Sequence, residues 1–356
     1  MAIEMTTRER MTHVLNHQEP DRVPMHDGPW APTVARWCQE GLPPGVSPAD
    51  FFGWDKFRGF GNDNGPRFPS AVVEETEEYI ITTSSWGATM KNWKKHASVP
   101  EFLDFRITDR DSWAEAKARM TPTEDRIDWK GLETSWPQWQ AEGAWIVGSA
   151  WFGYDVSASW NVGTERMLMA LLDDPEWCRD MIDTALDVNL ALLSMAWDRG
   201  YHFDAVTWAD DMGYRNGLFF SLDIYRSVVK PAQRRMIEWC HDRGIYTSLH
   251  SCGNIMALIP ELVEIGLDQL NPLEQKAGMD VFELKERWGD KLVLEGGIDV
   301  RNMTNGLAIE EEIRSKFEVL KCDGGYVYFS DHSVPENVSF ADYCRVTELV
   351  RWYGRY

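Results

Sequence analysis

The stretch IYTSLHSCGNIMALIPELVEIGLDQLNPLE, residues 245–274, decides the fold. It opens on a short apolar run, IYTSLHSCG (245–253), continues through a short helical segment (254–265), and closes on a second run, LDQLNPLE (267–274). Strand, helix and strand at this spacing form a βαβ unit, which places the two strands parallel. The same rhythm holds from residue 144 onward. AWIVGSA (144–150), FDAVTWADD (203–211), KLVLEGGID (291–299) and GGYVYFSDH (324–332) read as strands. Helices are expected at 163–172, 175–199, 221–244, 279–289, 308–321 and 339–353, with an interruption at Pro231.

Parallel strands repeated this often predict a (β/α)8 TIM barrel rather than an open sheet. An open sheet of the Rossmann type needs a glycine-rich phosphate turn after its first strand. The sequence has no G-x-G-x-x-G and no GK[ST] signature. The N-terminal part is less regular. Residues 6–17 read as a helix capped by Thr6 or Thr7, and Val23–His26 as a short strand. Residues 29–70 look irregular, with a short helix at 31–40; 73–95 read as a β-hairpin and 109–120 as a helix capped by Asp109 or Asp111. The expectation is one domain over 1–356, with 1–143 supplying a helix, a hairpin and loops that cover the barrel.

With 356 residues, 44% of them hydrophobic, the chain can bury a large core. Its formal charge of −21 repels phosphate, which argues against nucleic acid and anionic membranes as partners. Six scattered cysteines suggest reduced thiols, and the charged N-terminus lacks the apolar stretch of a signal peptide. These features point to the cytoplasm. The 18 tryptophans mostly suit packing, but Trp30, Trp86 and Trp151 are candidates for an aromatic wall around a ligand.

In a parallel barrel the chemistry sits at the carboxyl ends of the strands. Those ends carry His26 and Asp27, Asp210 and Asp211, His250 and Cys252, Asn271 and Glu274, Asp299, and Asp331 with His332. Aspartate and asparagine there also serve as helix caps, so histidine and cysteine are the more informative. His250 and Cys252 are two apart, and on a strand both point to one side. Imidazole and thiolate are good zinc ligands, and a catalytic zinc needs a third ligand plus an open position. His332 is the preferred third ligand, with Asp331 as its substitute and Glu295 or Asp211 as weaker choices. A hydrogen-bonded core histidine beside a small buried cysteine is the competing structural reading. Asp210–Asp211 can do acid–base work or hold a loop, and Tyr214 in the following loop can contact a ligand.

The segments HSCGNIMALIPELVEIGLDQLNPLE (250–274), WGDKLVLEGGID (288–299) and GGYVYFSDHSVPENV (324–338) resemble the uroporphyrinogen decarboxylase superfamily, which includes corrinoid-linked methyltransferases. The opening TTRERMTHVLNHQEPDRVP (6–24) and LLDDPEWCRDMID (171–183) extend the resemblance over most of the chain. It implies a TIM barrel. The decarboxylase branch carries an arginine-containing stretch that grips a polyanionic tetrapyrrole. Here VPMHDGPWAPTVARW (23–37) stands in its place, with His26–Asp27 instead of that grip. The methyltransferase branch binds zinc through an H-x-C pair and a later cysteine. His250 and Cys252 match the pair, while Ser330–Asp331–His332–Ser333 stands where the later cysteine is often found.

Three readings follow. The first is a methyltransferase moving a methyl group between a small methylated donor or acceptor and a corrinoid (cobalamin) on a separate protein. In it His250, Cys252 and His332 hold Zn2+, and Asp211, Asp27 and His26 do acid–base or positioning work. Trp30, Trp86, Trp151, Asp210, Tyr214, Asn271 and Glu274 then contact the substrate. The second is a decarboxylase or lyase acting on a small carboxylic acid or tetrapyrrole through Asp211 and His26, and the third a small-molecule binding protein without chemistry. A homodimer is also expected from the resemblance.

Overall fold

The computed structural model describes residues 4–94 and 99–356. Its main element is a seven-stranded sheet whose strands follow in chain order, every neighbouring pair parallel. The strands are β1 (Phe57–Phe60), β2 (Trp145–Ala150), β3 (Ala205–Ala209), β4 (Tyr246–His250), β5 (Gln269–Asn271), β6 (Val293–Glu295) and β7 (Tyr326–Val327). The sheet curls, and residues 24–26 reach both of its edges. Tyr328 N donates to Pro24 O (2.9 Å), His26 N to Tyr328 O (3.3 Å), and Asp55 N to Met25 O (2.8 Å).

The α/β class and the strand rhythm therefore hold. Helices Thr164–Asp173 and Pro175–Asp198 follow β2, Lys230–His241 follows β3, and Ile259–Glu264 follows β4. Val281–Trp288, Gly306–Leu320 and Phe340–Tyr353 follow the last three strands. The interruption expected at Pro231 is not a break, since the chain stays helical from Leu222 to His241. A π-helical turn, Tyr225–Val229, precedes it within the same helical run, and Pro231 sits in the first α-helical turn after it.

The N-terminal third departs most from expectation. β1 lies inside the segment read as irregular, and the helix Trp129–Ala141 was not foreseen. The hairpin expected at 73–95 is part of a four-stranded antiparallel sheet: Ala71–Glu75, Tyr79–Thr83, Ala88–Trp93 and Glu101–Phe105. Lys95, the last residue of that expected hairpin, lies outside the described residues.

The opening helix has a definite job. Thr6 caps Thr7–Leu15 in a reciprocal box with Glu9, so the helix starts where its sequence says. Its Met11, Val14 and Leu15 pack on Trp145, Ala205, Val293 and Val327, with Phe57 and Tyr246 at the margin. These contacts stop the amino end of the curled sheet. Arg10 anchors the plug. Its guanidinium pairs with Asp55, which is buried, and with Asp21 (2.7 Å). Among the described residues, no helix is long and apolar enough to cross a membrane.

Candidate metal centre and its two cavities

β4 ends at His250, and the chain turns so that Cys252 follows beside it. Cys252 Sγ lies 3.4 Å from His250 Nε2. β3 ends one residue before Asp210–Asp211, and Asp211 completes the group. Its Oδ1 accepts from Cys252 N (2.7 Å) and lies 3.9 Å from His250 Nε2. One donor atom each from Asp211, His250 and Cys252 lies within 4.8 Å of the others. Zinc bonds of about 2.0–2.3 Å put two donors on one ion no more than about 4.5 Å apart, so small side-chain turns suffice.

Two further features fit a metal, the hydrogen bond on His250 and the access to the group. Asn271, at the end of β5, accepts from His250 Nδ1 (2.6 Å). That bond puts the imidazole proton on Nδ1 and leaves the Nε2 lone pair facing the other donors. Burial raises the Cys252 thiol well above its ordinary range, and the charges of Asp211 and Glu274 raise it further. A cation in the group is what would favour the thiolate. The side chains of His250 and Asp211 are about two-fifths exposed, which leaves a ligand access.

The neighbouring carboxylates are arranged, not merely gathered. Burial pushes Asp210 up to about 8, with the charges of Asp155 and Asp211 adding to it. Its oxygens accept from Asp155 N (2.9 Å) and Gln233 Nε2 (3.0 Å). Gly153 permits this closure. It sits at φ +120°, and a Cβ there would lie 2.4 Å from Asp210 Oδ2. Burial likewise pushes Asp155 up to about 6, against a hydrogen bond from Ser159. Glu274 accepts from Gly253 N (2.7 Å) and pairs with Lys276 (2.8 Å), which fixes the turn behind Cys252.

The donor group stands between two cavities. The outer one, about 360 Å³, is lined by Cys252, Tyr214, Arg215, Glu274, Lys276 and Arg301 among others. The inner one, about 250 Å³, lies against the concave side of the sheet and includes His26, His250, Gln269, Asn271 and Glu295 in its wall.

The expected site residues divide accordingly. His250, Cys252, Asp211, Asn271, Glu274 and Tyr214 come together. His332 does not join the donors and instead lines a separate opening beside Trp30, 6.2 Å between ring centroids. Asp211, a weaker choice from the sequence, takes the third place. The substitute, Asp331, is committed to backbone, accepting from Gln275 N and Val300 N (both 3.0 Å). Asp27 is likewise taken up by protein, accepting from Tyr343 (2.6 Å), Tyr328 (3.2 Å) and Ser330. It anchors the chain rather than facing substrate. Asp210 is buried beneath the site and supports it. His26 pairs with Glu295 (2.7 Å) in the inner cavity.

The three tryptophans form no common wall. Trp86 meets Trp151 edge-on at 5.8 Å, whereas Trp30 stands with His332. Sequence reasoning missed Asp155, Gln233 and Gln269. Asp155 follows the end of β2 by five residues and so obeys the same strand-end rule, but a π-helical turn, Val156–Val162, begins beside it and obscures that pattern.

Comparisons with known proteins agree with this architecture. A solved methyltransferase from Methanosarcina mazei matches with a TM-score of 0.66 at 14% identity, covering 98% of this chain and 99% of that one. At that identity the likeness concerns the fold. A sugar phosphate isomerase/epimerase from Parabacteroides distasonis matches at a TM-score of only 0.28 and 12% identity, covering 64% of this chain and 92% of that one, and carries no argument. No curated protein matches the sequence. The family description "Uroporphyrinogen decarboxylase (URO-D)" matches residues 154–353, more than half of the chain, and the chain therefore belongs to the URO-D family.

Proposed function

We propose that this protein is a metal-assisted methyltransferase, moving a methyl group between a small methylated donor or acceptor and a corrinoid carried by a separate protein. The observation that supports this most is the Asp211–His250–Cys252 group, with the histidine's tautomer set by Asn271. These three residues would hold Zn2+. When bound, the metal supplies Lewis acidity and favours the ionised form of a coordinated thiol or water. Asn271 orients the imidazole, and Glu274 and Gly253 hold the cysteine turn in place. Tyr214, Arg215, Lys276 and Arg301 form the outer mouth through which a partner approaches.

In the same reading residues 24–26 act as the eighth strand and close a TIM barrel. Residues 1–143 supply β1 and this closing strand and otherwise cover the barrel within one domain, and the protein works in the cytoplasm as a homodimer. A decarboxylase or lyase acting through His26 is the second reading, favoured by the His26–Glu295 pair.

Metal analysis of the purified protein tests the first reading, together with loss of the methylcobalamin spectrum on incubation with methyl acceptors. About one zinc per chain and demethylation that stops on chelation are expected. Activity that persists after chelation and in Cys252→Ser would falsify the metal's part in the reaction.

A further inference from the structure

The inner cavity has a chemistry of its own. Parallel-barrel interiors are normally filled by layers of branched apolar side chains. Here Thr207, Ser248, Gln269 and Asn271 occupy wall positions on three neighbouring strands, and about 250 Å³ is left open. That is just below the range of about 300–1,000 Å³ typical of drug-sized ligands, so the occupant is smaller.

The polar groups in the wall are unevenly used. Glu295 accepts from His26 Nε2 (2.7 Å) and from Gln269 Nε2, so both of its oxygens have partners. Asn271 is 8% exposed, and its Oδ1 is occupied by His250. Its Nδ2 is buried with no hydrogen-bond partner among the described residues. A buried amide donor left over in a cavity wall calls for an acceptor. The carboxylate of Glu295 in the same wall disfavours an anion as that acceptor. Phe57, Trp145 and Phe329 supply apolar surface opposite, and His26 stacks on Phe57 at 4.1 Å.

We infer that this hollow is a ligand site for a small uncharged compound with an apolar body and a hydroxyl or carbonyl oxygen, which accepts from Asn271 Nδ2. It lies directly behind His250, on the opposite side of the donor group from the outer mouth. Naming this ligand as the methyl-transfer substrate rests on the function proposed above; the binding itself does not.

The test is calorimetric titration of the full zinc-loaded chain with phenol, toluene and benzoate. Phenol binds, and toluene and benzoate bind at least tenfold more weakly. Val147→Phe fills the hollow from β2, lowering phenol affinity at least tenfold with zinc content unchanged. Thr207→Leu, which fills it from β3, serves if the first variant does not fold. Toluene equal to phenol, benzoate tighter than phenol, no phenol binding at all (a hollow that holds water only), or filled variants that bind like the parent each overturn the site. Zinc content and methylcobalamin demethylation are measured in parallel. If they fail while phenol still binds, the proposed reaction falls and the hollow stands. If they succeed without phenol binding, the reverse holds.

Discussion

The two ends of the same parallel strands have opposite chemistry. At the amino ends, Phe57, Trp145, Ala205, Tyr246 and Val293 meet the apolar face of the opening helix. At the carboxyl ends, the chain places Asp211, His250, Cys252, Asn271 and Glu295 around two cavities. A strand only a few residues long carries both environments because side-chain direction alternates while position along the strand changes depth. The lesson is a division of labour. One end can be close-packed and plugged because the other need not be, and the polar end is held open by a network whose members constrain one another. The two ends are independent only if damage at one leaves the other largely intact.

The largest expected effect tests the plug. Met11 is fully buried, so Met11→Ala should cost about 2–5 kcal/mol in urea unfolding. Zinc bound per folded molecule should not change. If metal content falls in parallel with stability, the two ends are one cooperative unit and the division fails. Next comes the donor group itself. Cys252→Ala should weaken zinc at least about 100-fold in a chelator competition while leaving the urea midpoint of the metal-free protein almost unmoved.

A smaller effect is expected one step further out. Asn271→Leu removes the acceptor for His250 Nδ1 without touching a donor atom, and zinc affinity should drop by about 10–100-fold. An unchanged affinity would show that another group sets the tautomer. The smallest effect concerns pH. Burial pushes Asp331 up to about 6, against an ordinary value of 3.8. The folded chain keeps this proton where the unfolded chain has lost it. Stability therefore falls as pH rises from about 4 to about 6, by no more than about 1.4 kcal/mol per unit. Asp331→Asn should flatten that slope in urea titrations across this range, though it also loses one of two loop hydrogen bonds at every pH.

Much of the fold was legible because its signals are local. From residue 144 onward, apolar runs alternate with amphipathic helices, and the caps at Asp109 and Thr6 fall where side chains of that type belong. β1 was hidden because FRGF is too short to show a period and sits among glycines, and its partner, β2, lies far away in the chain. The candidate site was legible in the same uneven way. His250 and Cys252 are two residues apart, so their meeting depends on local geometry alone.

The third donor could not be read off like this. Asp210 and Asp211 are neighbours of identical chemistry, yet Asp210 is sealed under Gly153 and only Asp211 joins the group. Likewise Asp331 and His332 follow a strand, but β7 stops at Val327 and the chain beyond it carries His332 to a different opening.

By itself, then, the sequence determined the class of fold, the polar character of the strand ends and the pairing of one histidine with one cysteine. All of these depend on residues close in the chain, where rotation per residue fixes which side chains share a face. Tertiary structure alone decided that Asp211 rather than His332 stands with that pair, that Asp27 is an anchor, and that a polar hollow lies behind His250. Those outcomes depend on the relative rotation and depth of segments tens to hundreds of residues apart, and only packing of the whole core sets them.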